Sequence, residues 1–191
     1  MTTGTDRAAA QAHCRVMRRA RLAALSLALA LTVGGAGLAA APARAGGAPF
    51  PDPVEIVPAH SGMAWDVFLA SHSPGALVVQ SFPVGGSSQR WKVLEFGAGT
   101  GVFLVQSVEN GLVLDVAGGS TANGAGLVTN PWAATLSQLW VVLPLVPGYP
   151  FFVIVNLKSG KVADVAGFSQ NLGARLIQWQ WHGGLNQIFA M

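Results

Sequence analysis

The sequence predicts an all-β protein closed into a barrel of approximate threefold symmetry, and three observations carry that expectation. A 31-residue segment recurs three times without a gap, at Ser61–Trp91, Asn110–Trp140 and Ser159–Phe189, each starting 49 residues after the one before. Internal repetition at such a period marks a repeat architecture. The apolar runs are short and rich in β-branched and aromatic residues, as strands are. Beyond the first 45 residues no window carries the apolar period of a helix.

Seven positions are identical in all three copies: Gly62/Gly111/Gly160, Asp66/Asp115/Asp164, Val67/Val116/Val165, Ser71/Ser120/Ser169, Gly75/Gly124/Gly173, Ala76/Ala125/Ala174 and Gln89/Gln138/Gln187. Two residues after each Gln stands an aromatic, Trp91, Trp140 or Phe189. Strands are expected over Gly101–Val108, Leu112–Val116, Leu139–Leu143 and Phe151–Val155, bounded by Gly, Pro, Asn and Ser. Gly118–Gly126 reads as turns, where glycine supplies backbone conformations that other residues resist. A unit of about 45 residues cannot bury its own apolar face, so the copies must close on one another; closure also removes exposed strand edges.

The remaining chain is read by composition. Of 191 residues, 51% are hydrophobic and 10% charged, with 11 basic residues against 8 acidic. A disordered chain is excluded by that apolar content. Arg7, Arg15, Arg18, Arg19, Arg21 and Arg44 crowd the start, leaving Arg90, Lys92, Lys158, Lys161 and Arg175 scattered over the rest. Five dispersed cations cannot form a phosphate-binding surface, so nucleic acid is not an expected partner.

Basic residues to Arg21, an apolar run from Leu22 to Val33 and Ala43-Arg44-Ala45 have the anatomy of a secretory signal peptide, expected over 1–45 with cleavage after Ala45. A membrane-spanning helix needs about 20 apolar residues, and the run breaks at Gly34-Gly35. Secretion, with no stable membrane insertion after cleavage, is the expectation. Met17 is an alternative start, and Arg18-Arg19 fits a twin-arginine export signal poorly. Cys14, the only cysteine, leaves with the leader, so the mature chain has no disulfide. Residues 46–58, with four prolines, read as a linker or extended lead-in to a domain over 59–191.

The motifs Gln89-Arg-Trp91, Gln138-Leu-Trp140 and Gln187-Ile-Phe189 resemble the Q-x-W signature of ricin B-type lectin domains. Gly111-Leu-Val-Leu-Asp115-Val116 and Gly160-Lys-Val-Ala-Asp164-Val165 resemble that family's G-x-x-L-D-V segment, and Leu176 to Gln187 its third segment. The resemblance covers about residue 56 to 191. It implies a β-trefoil, carbohydrate as partner, and a repeated Asp that contacts vicinal hydroxyls of galactose or xylose.

The residues support two readings of the repeated Asp. It can cap a turn, with Ser71, Ser120 and Ser169 serving the same turns. It can also accept hydroxyl hydrogen bonds from a sugar, whose apolar face then needs an aromatic platform. The third copy offers the fullest set: Asp164 with Gln178, Trp181, His182, Asn186 and Gln187. Trp181 is expected as the exposed platform and Trp179 as the inward ring. The second copy keeps Asp115, Asn130 and Trp132, but Ser137 replaces the Asn. The first has Pro83 in place of the ring. Affinity should therefore fall from third to second to first. One shallow site predicts a Kd near the millimolar scale, about −4 kcal/mol, which favours a polymeric or cell-surface glycan bound with avidity.

No catalytic role is expected. Glycoside hydrolysis needs two carboxyls within about 5–10 Å, and only Glu95 and Glu109 are candidates for a pair. No cofactor is expected. Ligand spacing for a metal is absent around His182. The mature protein is expected to be a monomer. A trefoil scaffold that has shed sugar binding and acts on a protein partner, through Phe168, Gly184 and Leu185, is the competing reading.

Overall fold

The computed structural model describes residues 50–145 and 148–191; the leader and its cleavage site lie outside the described residues. Twelve strands follow in chain order: β1 Val57–Pro58, β2 Ala64–Val67, β3 Ala76–Ser81, β4 Trp91–Glu95, β5 Val102–Ser107, β6 Val113–Val116, β7 Leu127–Asn130, β8 Trp140–Pro144, β9 Phe151–Asn156, β10 Val162–Val165, β11 Leu176–Trp179 and β12 Phe189–Ala190. Each set of four is one lobe. The expected strands are all present, within a residue or two at their ends. Six single-turn 3-10 segments, two per lobe, are the helical elements among the described residues.

The outer strands of the lobes make the barrel. β4 pairs β5, β5 pairs β8, β8 pairs β9, β9 pairs β12 and β12 pairs β1, all antiparallel. A bridge from Val54 to Trp91 closes the ring. The inner strands form three hairpins in one register, Asp66 opposite Val79, Asp115 opposite Val128 and Asp164 opposite Ile177. The hairpins also close on one another through β3 and β7 and through the bridges Gly126–Ile177 and Val79–Arg175. The architecture is a β-trefoil.

The chain enters the barrel earlier than the composition implies. The stretch expected as a linker contributes Phe50, Val54 and Ile56 to the core, so the trefoil begins near residue 50 rather than 59. The prolines there stiffen an extended segment that still alternates inward-facing apolar residues.

Trp91, Trp140 and Phe189 are fully buried in the central core, as the repeat predicts. Trp91 Nε1 donates to the Trp65 carbonyl and Trp140 Nε1 to that of Leu114, so two of the three plugs are also hydrogen-bonded. A second apolar cluster, with Leu104, Val141, Val153 and Val162, packs on the other side of these strands.

Each repeat is tied to the next by the same device. Gly75, Gly124 and Gly173, all with positive φ, donate their N–H groups to Thr129, Gln178 and Gln80 of a neighbouring lobe. Ser71, Ser120 and Ser169 accept a backbone N–H two residues ahead, which confirms the turn role expected of them.

Candidate carbohydrate site

The carboxylate of Asp164 closes one end of a cleft of about 290 Å³ in the third lobe. β10 places it, the last Asp of a buried strand beside the turn Ala166–Phe168. Three side chains hold it. Asn186 Nδ2 donates to Oδ1 at 2.9 Å, Gln187 Nε2 to Oδ2 at 2.7 Å, and His182 Nε2 lies 3.4 Å from Oδ2. The Gly184 N–H donates to His182 Nδ1 at 3.2 Å, which assigns the neutral ring a proton on Nε2, aimed at Asp164. Burial pushes the Asp164 carboxyl above its ordinary value of 3.8, and the donors from Gln187, His182 and Asn186 pull against that rise.

The rest of the cleft is apolar: Phe168, Ile177 and Trp179, with Gly167 in the turn. Phe168 and Trp179 are exposed aromatic rings. His60 of the first lobe packs edge-on against Phe168, ring centroids 4.9 Å apart, and its Nε2 lies 2.8 Å from the Ser169 carbonyl.

Two expected assignments are overturned here. Trp181 is 8% exposed and packs into the second apolar cluster, whereas Trp179 is 36% exposed and lines the cleft. Positions 179 and 181 share a face of any continuous strand, so only a break can separate them. β11 ends at Trp179, and Gln180 bonds through its N–H to Asn123 and through its carbonyl to Gln187. Gln178 is the other correction. It is fully buried, donates to the carbonyls of Ser120 and Ala122 in the second lobe, and accepts from Ser159 Oγ. It joins lobes and does not reach the cleft.

Asn186 and Gln187 are brought to the acid as its holders. Asn186 spends both amide hydrogens inward, on Asp164 Oδ1 and the Val165 carbonyl. Gln187 also bonds the Gln180 carbonyl and the His182 N–H. Phe168 and Trp179 are the lining residues that the motif comparison missed. The extended parity of Ile177 and Trp179, opposite to buried Leu176 and Gln178, is the signal that finds Trp179.

In the second lobe Asn130 Nδ2 donates to Asp115 Oδ2 at 3.0 Å and Gln138 Nε2 at 3.3 Å. Trp132 is half-buried, against Phe96 at 5.6 Å between centroids. In the first lobe Gln89 holds Asp66 in the same way, but large apolar residues, Phe68, Leu69, Phe82 and Val84, stand exposed around it.

Glu95 and Glu109 do not form a pair. Glu95 stands at the Phe103 end of the β4–β5 ladder, and Glu109 lies past its Ser107 end, bonded to His72 and Ser87. Among the described residues no group of three or more His, Cys, Asp or Glu could hold a metal ion.

The ricin-type β-trefoil lectin-like family model matches residues 49–130, 87–179 and 136–191, and the chain belongs to that family. A designed threefold-symmetric protein, ThreeFoil, is 33% identical over 72% of this chain and 96% of its own, with a TM-score of 0.68. An exo-β-1,3-galactanase from Clostridium thermocellum is 28% identical over 74% of this chain but 30% of that enzyme, at a TM-score of 0.69. The ricin B-like lectin of Macrolepiota procera, solved with lactose, is 18% identical over 72% and 92% of the two chains, at a TM-score of 0.61, and supports the fold alone. No curated protein sequence matches the chain.

Proposed function

We propose that this protein is a secreted, non-catalytic carbohydrate-binding module whose principal site is the third-lobe cleft, for a galactose- or xylose-type sugar presented on a polysaccharide or cell-surface glycan. The observation that carries the reading is the meeting of a held carboxylate, Asp164, with the exposed rings of Phe168 and Trp179 around one opening of about 290 Å³. A pyranose or pentose offers the complement: vicinal hydroxyls that donate to a carboxylate and a C–H face that stacks on an aromatic ring. Asp164 Oδ1, which takes one bond from Asn186, keeps a lone pair for a hydroxyl, and the exposed His182 edge can join it. The galactanase among the similar structures, 28% identical, supports a galactose-type ligand. The galactanase match covers 30% of that enzyme, which supports a module that attaches to glycans beside catalysis rather than performing it.

A glycan array and a polysaccharide pull-down test the proposal, with Asp164→Asn and Trp179→Ala as paired variants. Loss of the same glycan by both, with the fold intact, supports it. Retention by both, or no glycan bound by the wild-type protein, favours a scaffold acting on protein partners.

A further inference from the structure

We infer that His60, a residue of the first lobe, is a positioning residue for the third-lobe cleft, its ring holding Phe168 in place as a wall on which a sugar face stacks; the inference rests on the lectin reading above. Phe168 needs such a hold. Its φ of 55° lies in the left-handed region that side chains other than glycine seldom occupy, and it directly follows Gly167 with a φ of 65°. Burial does not offset that strain, because the Phe168 ring is 47% exposed in the cleft. A bulky residue kept in a disfavoured conformation persists only where its surroundings fix it. His60 packs edge-on against this ring, centroids 4.9 Å apart and planes at 60°, an arrangement in which aromatic rings attract. Its Nε2 faces the Ser169 carbonyl, which can only accept, so Nε2 carries the proton. Nδ1 is buried and bonded to nothing, so the ring acts by packing rather than by reaching a ligand. His60 does not itself line the cleft, and its effect on a sugar passes through Phe168.

The other two lobes serve as internal controls. Phe168 corresponds to Ala70 and Gly119, and His60 to Glu109 and Lys158. Lys158 donates to the Gly119 carbonyl, and Glu109 bonds His72 and Ser87. A ring stands at the facing position only where the turn itself carries a ring. The clamp that joins the lobes is a separate device. Gln80 Nε2 donates to the Ser169 carbonyl at 2.9 Å, as Gln178 does to that of Ser120 and Asn110 to that of Ser71. Loss of His60 therefore leaves Ser169 bonded and the lobes joined, which separates positioning of the wall from folding.

A double-mutant cycle in binding tests this, read from amide chemical shifts around Asp164 as methyl galactoside and methyl xyloside are titrated into the whole protein, with urea unfolding beside it. His60→Ala should weaken sugar binding about 5-fold, the worth of one aromatic contact. His60→Gln, which keeps a donor for the Ser169 carbonyl but no ring, should weaken it as much, and supplies the same cycle where His60→Ala is destabilised. Phe168→Ala should weaken binding more than either, and adding a His60 variant to it should cause no further loss. A loss from His60→Ala or His60→Gln that persists in the Phe168→Ala background overturns the inference, as does wild-type affinity in Phe168→Ala or in His60→Gln. Sugar shifts around Asp164 that neither His60 variant weakens overturn it alone; an absence of shifts with both sugars overturns the lectin reading with it.

Discussion

Gln187 donates to Asp164 across 22 intervening residues, Nε2 to Oδ2 at 2.7 Å, and the same bond recurs from Gln138 to Asp115 and from Gln89 to Asp66. The Gln of the repeated motif is therefore the arm that fixes the repeated acid, and the buried aromatic two residues later anchors that arm in the core. Gln187 also holds the loop between them, through the His182 N–H and the Gln180 carbonyl. Removing it takes a donor from the buried Asp164 carboxylate and leaves the part-buried Gln180 carbonyl and His182 N–H without this partner. Gln187→Ala should cost about 2–4 kcal/mol by denaturant unfolding and lower sugar affinity at the third lobe by at least about tenfold.

Protonation of Asp164 should read out twice. Its carboxyl titrates above 3.8 because burial penalises the charge. A folded value raised above the unfolded one means that the native state holds the proton more tightly in this window. The contribution to stability is therefore fully present below 3.8 and is lost as pH rises through the folded value. Sugar binding runs the other way, since the charged acid is the acceptor. Affinity at the third cleft should fall on acidification with a midpoint above 3.8, and Asp164→Asn should remove both limbs in calorimetric titrations across pH.

The two indoles of the third lobe should separate binding from folding. Trp181 is in the second apolar cluster, so Trp181→Ala should cost about 3–5 kcal/mol. Trp179 is an exposed wall of the cleft. Trp179→Ala should shift stability by about 1 kcal/mol or less and abolish detectable sugar binding. Thermal melts beside a glycan titration distinguish them, and the opposite pattern would return the platform to Trp181.

The fold was legible because it is written three times. Gly75, Ser71 and the Gln-x-aromatic triplet each do one structural job per lobe, and triplication exposes them. The acid at the site was legible for the same reason. Its walls were not, since Phe168 and Trp179 are the residues that differ between lobes, Gly119 and Asn130 standing in the second. Gln178 was misread because a buried amide and a sugar-facing amide look alike in sequence; only the closure of lobe upon lobe decides which carbonyls it meets.

That closure makes Gln178 a stability residue. With two carbonyls of the second lobe and Ser159 Oγ left without it, Gln178→Leu should cost about 3 kcal/mol. A destabilised but sugar-competent variant is the expected result in paired unfolding and binding measurements.

Leu69 offers a test of strain. Its φ of 57° and ψ of 26° occupy the left-handed region that Gly118 and Gly167 fill in the other lobes. A branched residue there costs about 1–2 kcal/mol, and Leu69 recovers little by burial, being 83% exposed. Glycine would relieve the strain but add backbone entropy to the unfolded chain, worth about 0.4–1 kcal/mol. The difference leaves Leu69→Gly more stable than the wild type by up to about 1.5 kcal/mol in urea unfolding. Destabilisation instead would show that the exposed Leu69 side chain is held in place by packing that outweighs its backbone strain.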